Sequence, residues 1–456
     1  MFRVKILAGA LALALVLPVA GAAQPDTGQA NFTRYVAIGD SLTAGFQSGS
    51  LYSSSQINSY PALLYRQATG QTTGFEQPLV SEPGIPGRLV LRSLAPLSIT
   101  PTEGQGAPTN LNLQRPYNNM AVPGARVRDV LVTTTGGLHD VVLRRSGTAL
   151  QQALALNPTF VTIWIGNNDA LAAATSGVVV DNVTLTTVDR FETDFRAIVD
   201  AVAATGARMA IANIPEVTTI PYVTTIPSVV VNPATSQPVL IGGNPVPLIG
   251  PNGLLGAGDR VLLPASSLLA QGIGIPAALG GKGTPLPDSV VLSAAEIATI
   301  SERVNAFNNV IRTVAQQRNA AFVDANALLR EVAQRGVPVG GVTFTAAFLT
   351  GGIFSYDGVH PTSFGYAYIA NAFIEAINEQ FDAEIEPVNL YPFVFGTSST
   401  QAATQAARGV SASGMIDLGL DEMGTPAFIF TAEAQKNLIW ALRAEAPKKR
   451  PRGRKK

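Results

Sequence analysis

Phe160-Val161-Thr162-Ile163-Trp164-Ile165 is an almost wholly apolar, β-rich run without polar alternation. A strand of that kind has to be covered on both faces, which is the situation inside a parallel sheet. A second such run, Arg208 to Ala212, follows Gly206, and between the two Phe191, Phe195, Ile198, Val199 and Val202 recur at helical spacing. Ser293-Ala294-Ala295-Glu296 is a capping box that opens a helix to about Arg318, and Ala320 to Val323 makes a further strand. Strand and helix alternate at short range, so the chain is expected to form an α/β fold with a parallel sheet covered by helices on both sides. With 46% hydrophobic and 14% charged residues it has the apolar content such a core needs.

Ligands of an open parallel sheet bind at the carboxyl ends of its strands. Tyr35-Val36-Ala37-Ile38 reads as a strand running into Gly39-Asp40-Ser41-Leu42, which presents the Ser41 hydroxyl either as a reactive group or as a plain helix N-cap. Gly124 ends the run from Tyr117, and Asn168 stands in Gly166-Asn167-Asn168-Asp169 directly after the Phe160 strand, so all three face one edge. His360, in a loop before a helix from Ser363 to Ile377, can reach that edge too. Acyl transfer by a serine needs a base, a group that orients the base, and donors for the oxyanion. His360 can be the base and Asp357 its partner. Asn168 has a side-chain N–H to offer, and Gly124 and Ser41 have backbone N–H groups. His139 has no similar neighbourhood, and a surface or capping role is expected for it. No cysteine and only two histidines are present, so no metal site and no cofactor are expected.

Gly39-Asp40-Ser41-Leu42, Asn119-x-Ala-x-x-Gly124-Ala125, Gly166-Asn167-Asn168-Asp169 and Asp357-x-x-His360-Pro361 together resemble, in order, the four blocks of the GDSL or SGNH hydrolases. The resemblance covers about residues 32 to 381, with gaps. It implies a flavodoxin-like three-layer α/β/α sandwich with a mainly parallel central sheet, and hydrolysis of carboxylic esters through an acyl-enzyme. Carried over block by block, Ser41, Asp357 and His360 are the catalytic residues, and Ser41, Gly124 and Asn168 form the oxyanion hole. A small-molecule or lipid ester is the implied substrate, with carbohydrate O-acetylesterase and lysophospholipase as alternatives. A cell-envelope binding protein with an idle site is the non-enzyme alternative. The chain has no G-x-S-x-G elbow of the α/β-hydrolase kind.

Outside the blocks, residues 1–23 read as a signal peptide: Arg3 and Lys5, an apolar run broken by Pro18, then Ala20-Gly21-Ala22. Cleavage near Ala22 or Ala23 predicts a secreted or periplasmic bacterial protein with no transmembrane span in the mature chain. Residues 24–385 are expected to be the hydrolase domain, with long insertions at about 71–115 and 217–290. A C-terminal extension of unassigned role, 386–446, and a basic tail, 447–456, complete the chain. Seven of the 31 basic residues lie in that tail and two in the leader, so the body between them is acidic. The tail is expected to be solvated, with an anionic surface as its alternative partner, and nucleic acid is not expected.

Overall fold

The four apolar runs line up as one parallel sheet in a computed structural model that describes residues 25–395, apart from 95, 96 and 234. Its strands are β1 (Tyr35–Gly39), β2 (Phe160–Trp164), β3 (Arg208–Ala212) and β4 (Ala321–Val323), in the order β1-β2-β3-β4. Tyr35 stands beside Phe160, Phe160 beside Arg208 and Ala210 beside Ala321. On the far side of β1, Asn119 bridges Ala37 in parallel, and the amides of Met120 and Val122 donate to Ala37 O and Gly39 O at 2.8 and 3.1 Å. Counted as the second strand, that segment makes the spatial order 2-1-3-4-5, which is the flavodoxin order. The order reverses between β1 and β2. A crevice therefore opens at their carboxyl ends, where the chain places Ser41 and Asn168.

Side chains alternate across the sheet, as strand geometry requires. Val36 and Ile38 enter one core with helices α3 (Val127–Val132), α5 (Val188–Ala203) and α6 (Ala294–Gln317). Tyr35 and Ala37 enter the opposite core with α2 (Tyr60–Thr69) and α8 (Ser363–Phe381). The three-layer sandwich expected from the alternation is thus present. On the first face Phe191 stacks on Phe307 with ring centroids 4.0 Å apart, and both are fully buried. Truncating a buried Phe typically costs about 3–5 kcal/mol, so this pair secures the long helices α5 and α6 to each other. Three shorter helices complete the crevice: α1 (Ser41–Ala44), α4 (Asn168–Ser176) and α7 (Ala325–Arg335). Helix α8 runs four residues past the expected Ile377, because Phe381 still has the apolar core to enter.

Both insertions are ordered and both reach the crevice. Residues 71–115 include a hairpin of Leu89–Leu94 with Leu97–Pro101, and the Leu89 amide donates to Ser48 O at 2.8 Å. Residues 217–290 form several two-residue-stranded hairpins around a small core of their own, including Val230, Leu248, Leu255, Val261, Leu286 and Val290. Here Tyr222 is the contact: its amide donates to Gly358 O at 2.9 Å. Residues 386–395 pack onto the sandwich, with Val394 fully buried. The expected leader 1–23, the rest of the 386–446 extension and the tail 447–456 lie outside the described residues. No described helix is long and apolar enough to cross a membrane.

Candidate functional site

The turn after β1 is shaped by two residues. A Cβ on Gly39 would fall 2.1 Å from Thr43 Oγ1 and 2.5 Å from Trp164 O, so only glycine lets the strand end this close to its neighbour. Asp40 is the N-cap of α1: its Oδ1 accepts from Leu42 N at 3.0 Å, and its carbonyl accepts from Thr43 N and Ala44 N at 3.1 and 2.9 Å. Capping therefore falls to Asp40, and Ser41 is the first helical residue. Its own N–H is one of the donors that a helix start leaves unpaired. From α8, the Tyr366 hydroxyl donates to Phe46 O, five residues further on, and so holds the exit of the turn.

Two loops converge on that turn from either side. Asn168, the first residue of α4, donates its Nδ2–H to Ala125 O at 2.9 Å, which draws it onto the Gly124-Ala125 turn and leaves the second N–H of the amide for a ligand. Its neighbour Asn167 donates Nδ2–H to Asp40 Oδ2 at 2.8 Å. Gly124 has φ +85°, and an added Cβ there would meet nothing within 4 Å. Asp169 anchors the same loop below the surface, accepting from Val127 N at 2.9 Å and Thr186 Oγ1 at 2.7 Å. Burial pushes its carboxyl up to about 6 against those bonds.

On the other side Asp357 and His360 are joined, His360 Nδ1 to Asp357 Oδ2 at 2.9 Å. Gly49 N also donates to Oδ2, at 2.7 Å, while Val359 N and His360 N donate to Oδ1 at 2.9 and 2.8 Å. Burial raises the Asp357 carboxyl, but the charge and hydrogen bonds of His360 with the Val359 amide outweigh it, and the net shift is downward. An ionised acceptor on that side requires the proton on Nδ1, which leaves Nε2 with its lone pair. The ring lies 4.8 Å from that of Phe46 and so sits over the exit of the Ser41 turn. All five residues singled out from the sequence are thus joined through one chain of contacts, running Gly124-Ala125, Asn168-Asn167, Asp40-Ser41, Phe46, His360, Asp357. Such an arrangement can accept a proton from a hydroxyl and offer N–H groups to a developing negative charge.

The model of the GDSL-like Lipase/Acylhydrolase family matches residues 35–373. The chain belongs to that family. Among solved structures it is similar to Axe2, an acetylxylan esterase from Geobacillus stearothermophilus, at 14% identity over 75% of this chain and 93% of that one, with a TM-score of 0.34. LAE5, an alpha/beta hydrolase enzyme from the metagenome of Lake Arreo, Spain, has 15% identity over 76% and 96% of the two chains, with a TM-score of 0.35. TesA has 15% identity over 76% and 98%, with a TM-score of 0.31. Likenesses this low say nothing about substrate. No curated protein matches the sequence.

Several parts of the site were not singled out from the sequence of this GDSL-family chain. Asp40 and Asn167 link the serine turn to the Asn168 loop, Gly49 bonds Asp357 from the segment whose Ser48 the 71–115 insertion contacts, and Tyr222 brings the 217–290 insertion onto the Asp357–His360 loop. The cap at Asp40 had a local signal, since Asp is among the favoured N-cap residues. The other three act through contacts between segments far apart in the chain. His139, for which a surface or capping role was expected, is half-buried in the first turn of the helix Leu138–Leu143, with its Nε2 shielded from solvent. An apolar cleft lined by Leu42, Leu328, Val332, Val359, Pro361 and Ile369 among others runs between α7 and α8, and neither Ser41, Asn168 nor His360 lines it. Among the described residues no group of three or more His, Cys, Asp or Glu is placed to hold a metal ion.

Proposed function

We propose that the protein is an exported serine hydrolase that cleaves carboxylic esters through an acyl-enzyme on Ser41. The observation that carries this reading is the Asp357–His360 bond, which leaves Nε2 as a base on the same chain of contacts as Ser41. In the proposed reaction Nε2 takes the Ser41 proton as Oγ attacks the ester carbonyl, and the imidazolium then returns that proton to the departing alcohol. Water repeats the sequence on the acyl-enzyme. Ser41 N–H, Gly124 N–H and the free amide N–H of Asn168 stabilise the oxyanion, one such donor contributing roughly 10²–10³ in rate. The export half of the reading rests on the leader at 1–23.

A lipid or other apolar ester is favoured over a carbohydrate acetate by one feature of the 217–290 insertion. Pro221 to Gly258 contains no charged residue, and the hairpins there expose Leu240, Ile241 and Leu254 at 56, 60 and 67%. Hydrolysis of p-nitrophenyl esters from acetate to palmitate tests both statements. Turnover of the series is expected to be unaffected by EDTA and to improve with chain length, each buried CH₂ adding about 0.8 kcal/mol to binding. Activity on acetate alone would return the choice to an O-acetylesterase, and loss in EDTA would require a metal.

Gly124→Ala is expected to lower kcat/KM for every ester by roughly tenfold or more while the melting temperature falls only slightly. The new methyl would stand in open space at the Gly124 turn, where the oxyanion of the proposed reaction has to be received, whereas its structural cost is limited to the positive φ, about 1–2 kcal/mol. An unchanged kcat/KM would remove Gly124 from the oxyanion hole.

A further inference from the structure

Asp40 is fully buried and its carboxylate touches both halves of the crevice. Oδ1 holds Leu42 N, at the start of the serine helix, and Oδ2 holds Asn167 Nδ2, one residue from Asn168. Asn167 is itself buried, and its Oδ1 has no hydrogen-bond partner. The hold of this side chain on its surroundings therefore runs through the Asp40 contact. The two donors that an oxyanion would need, Ser41 N–H and the Asn168 amide, come from the ends of different strands, and nothing in either turn alone fixes their spacing.

We propose that Asp40 is a positioning residue whose ionised carboxylate locks the serine turn to the Asn167–Asn168 loop, so that the oxyanion donors of both stay in register. This inference rests on the ester-hydrolase reading of the site. Hydrogen bonds to a charged acceptor are roughly twice as strong as neutral ones, and a displacement near 1 Å in a catalytic site can cost about 100-fold. Burial pushes the Asp40 carboxyl up to about 6, opposed by the Asn167 side chain, the Leu42 amide, the charge of His360 and the Asn167 amide. The other titratable groups that face it are Tyr60 from α2 and Tyr366 from α8, both shifted upward by burial and neutral at any working pH. Below about pH 6 Asp40 takes up a proton, and its grip on the two loops weakens.

The test is steady-state hydrolysis of p-nitrophenyl acetate by the full chain and the variants Asp40→Ala, Asp40→Asn, Asn167→Ala and the double Asp40→Ala/Asn167→Ala. Asp40→Ala and Asn167→Ala are each expected to lower kcat, the former by about 100-fold, with KM changing less than threefold. The double variant should be little worse than Asp40→Ala, because both single changes cut the same link. The acid-side fall in log kcat/KM should be shallower in Asp40→Asn than in the parent, and this variant retains the cap and so guards against a simple folding defect. Additive losses, a kcat for Asp40→Ala within threefold of the parent, or an acid-side profile of Asp40→Asn identical to the parent's would each overturn the proposal while leaving the hydrolase reading intact. A parent with no hydrolysis at all would overturn both.

Discussion

Ser41→Ala is expected to abolish ester hydrolysis, lowering kcat by roughly 10⁵–10⁶-fold, the loss found when the nucleophile of a serine hydrolase is removed. Its melting temperature should stay within about a degree or two of the parent. The reason is structural: the bonds that shape this turn use the Ser41 backbone, with Ser41 O accepting from Phe46 N at 3.0 Å, and the capping oxygen belongs to Asp40. Had Ser41 been the cap, the same substitution would cost about 1 kcal/mol of stability and leave activity in place. The two outcomes are opposite in both measurements, so kcat and a thermal melt on one variant decide between them. Residual kcat within tenfold of the parent would end the hydrolase reading.

Asp357→Asn is the second large effect, with kcat falling by about 10⁴-fold. The carboxylate accepts from four N–H groups, Val359 and His360 on one oxygen and Gly49 and His360 Nδ1 on the other. An amide can accept on only one end. If its NH₂ takes the Oδ2 position, it faces the Gly49 N–H and forces His360 into the tautomer with the proton on Nε2, which can no longer act as a base. If it takes the Oδ1 position, two backbone N–H groups lose their acceptor, at about 1–3 kcal/mol each. Either way the variant should also melt lower than Ser41→Ala, and a drop in kcat of less than tenfold would show that Asp357 does not orient the base. Because Asp357 is ionised well into acid in the folded protein, its support of His360 is present at neutral pH and is lost only as the pH falls below the ordinary carboxylate range.

The amino-acid sequence determined the strands and helices here because their signals are local. A short, almost wholly apolar run rich in β-branched and aromatic residues, such as Phe160 to Ile165, reads as a strand covered on both faces, and the Ser293–Glu296 box and the spacing of Phe191, Phe195 and Ile198 mark helices without reference to anything distant. Ser41 and Asn168 could be singled out for a related reason: each directly follows a strand, and the rule for parallel sheets sends those ends to one edge, whereas Asp357 and His360 stand in the loop before α8 and were singled out by residue type and by their motif. The tertiary structure decided what the turns do once they meet. That Asp40 and not Ser41 caps α1 depends on which side chain faces Leu42 N, and Asp and Ser are both favoured N-cap residues, so residue type alone did not choose between them. That Gly49 steadies Asp357, that Tyr222 holds Gly358 and that Asn167 reaches back to Asp40 are contacts across roughly 130 to 300 residues of chain. The insertions at 71–115 and 217–290 carry no helical or strand period strong enough to announce a fold. The hairpins of 217–290 pack around a small core of their own and the Leu89 hairpin is held at Ser48, contacts that only the folded chain brings together.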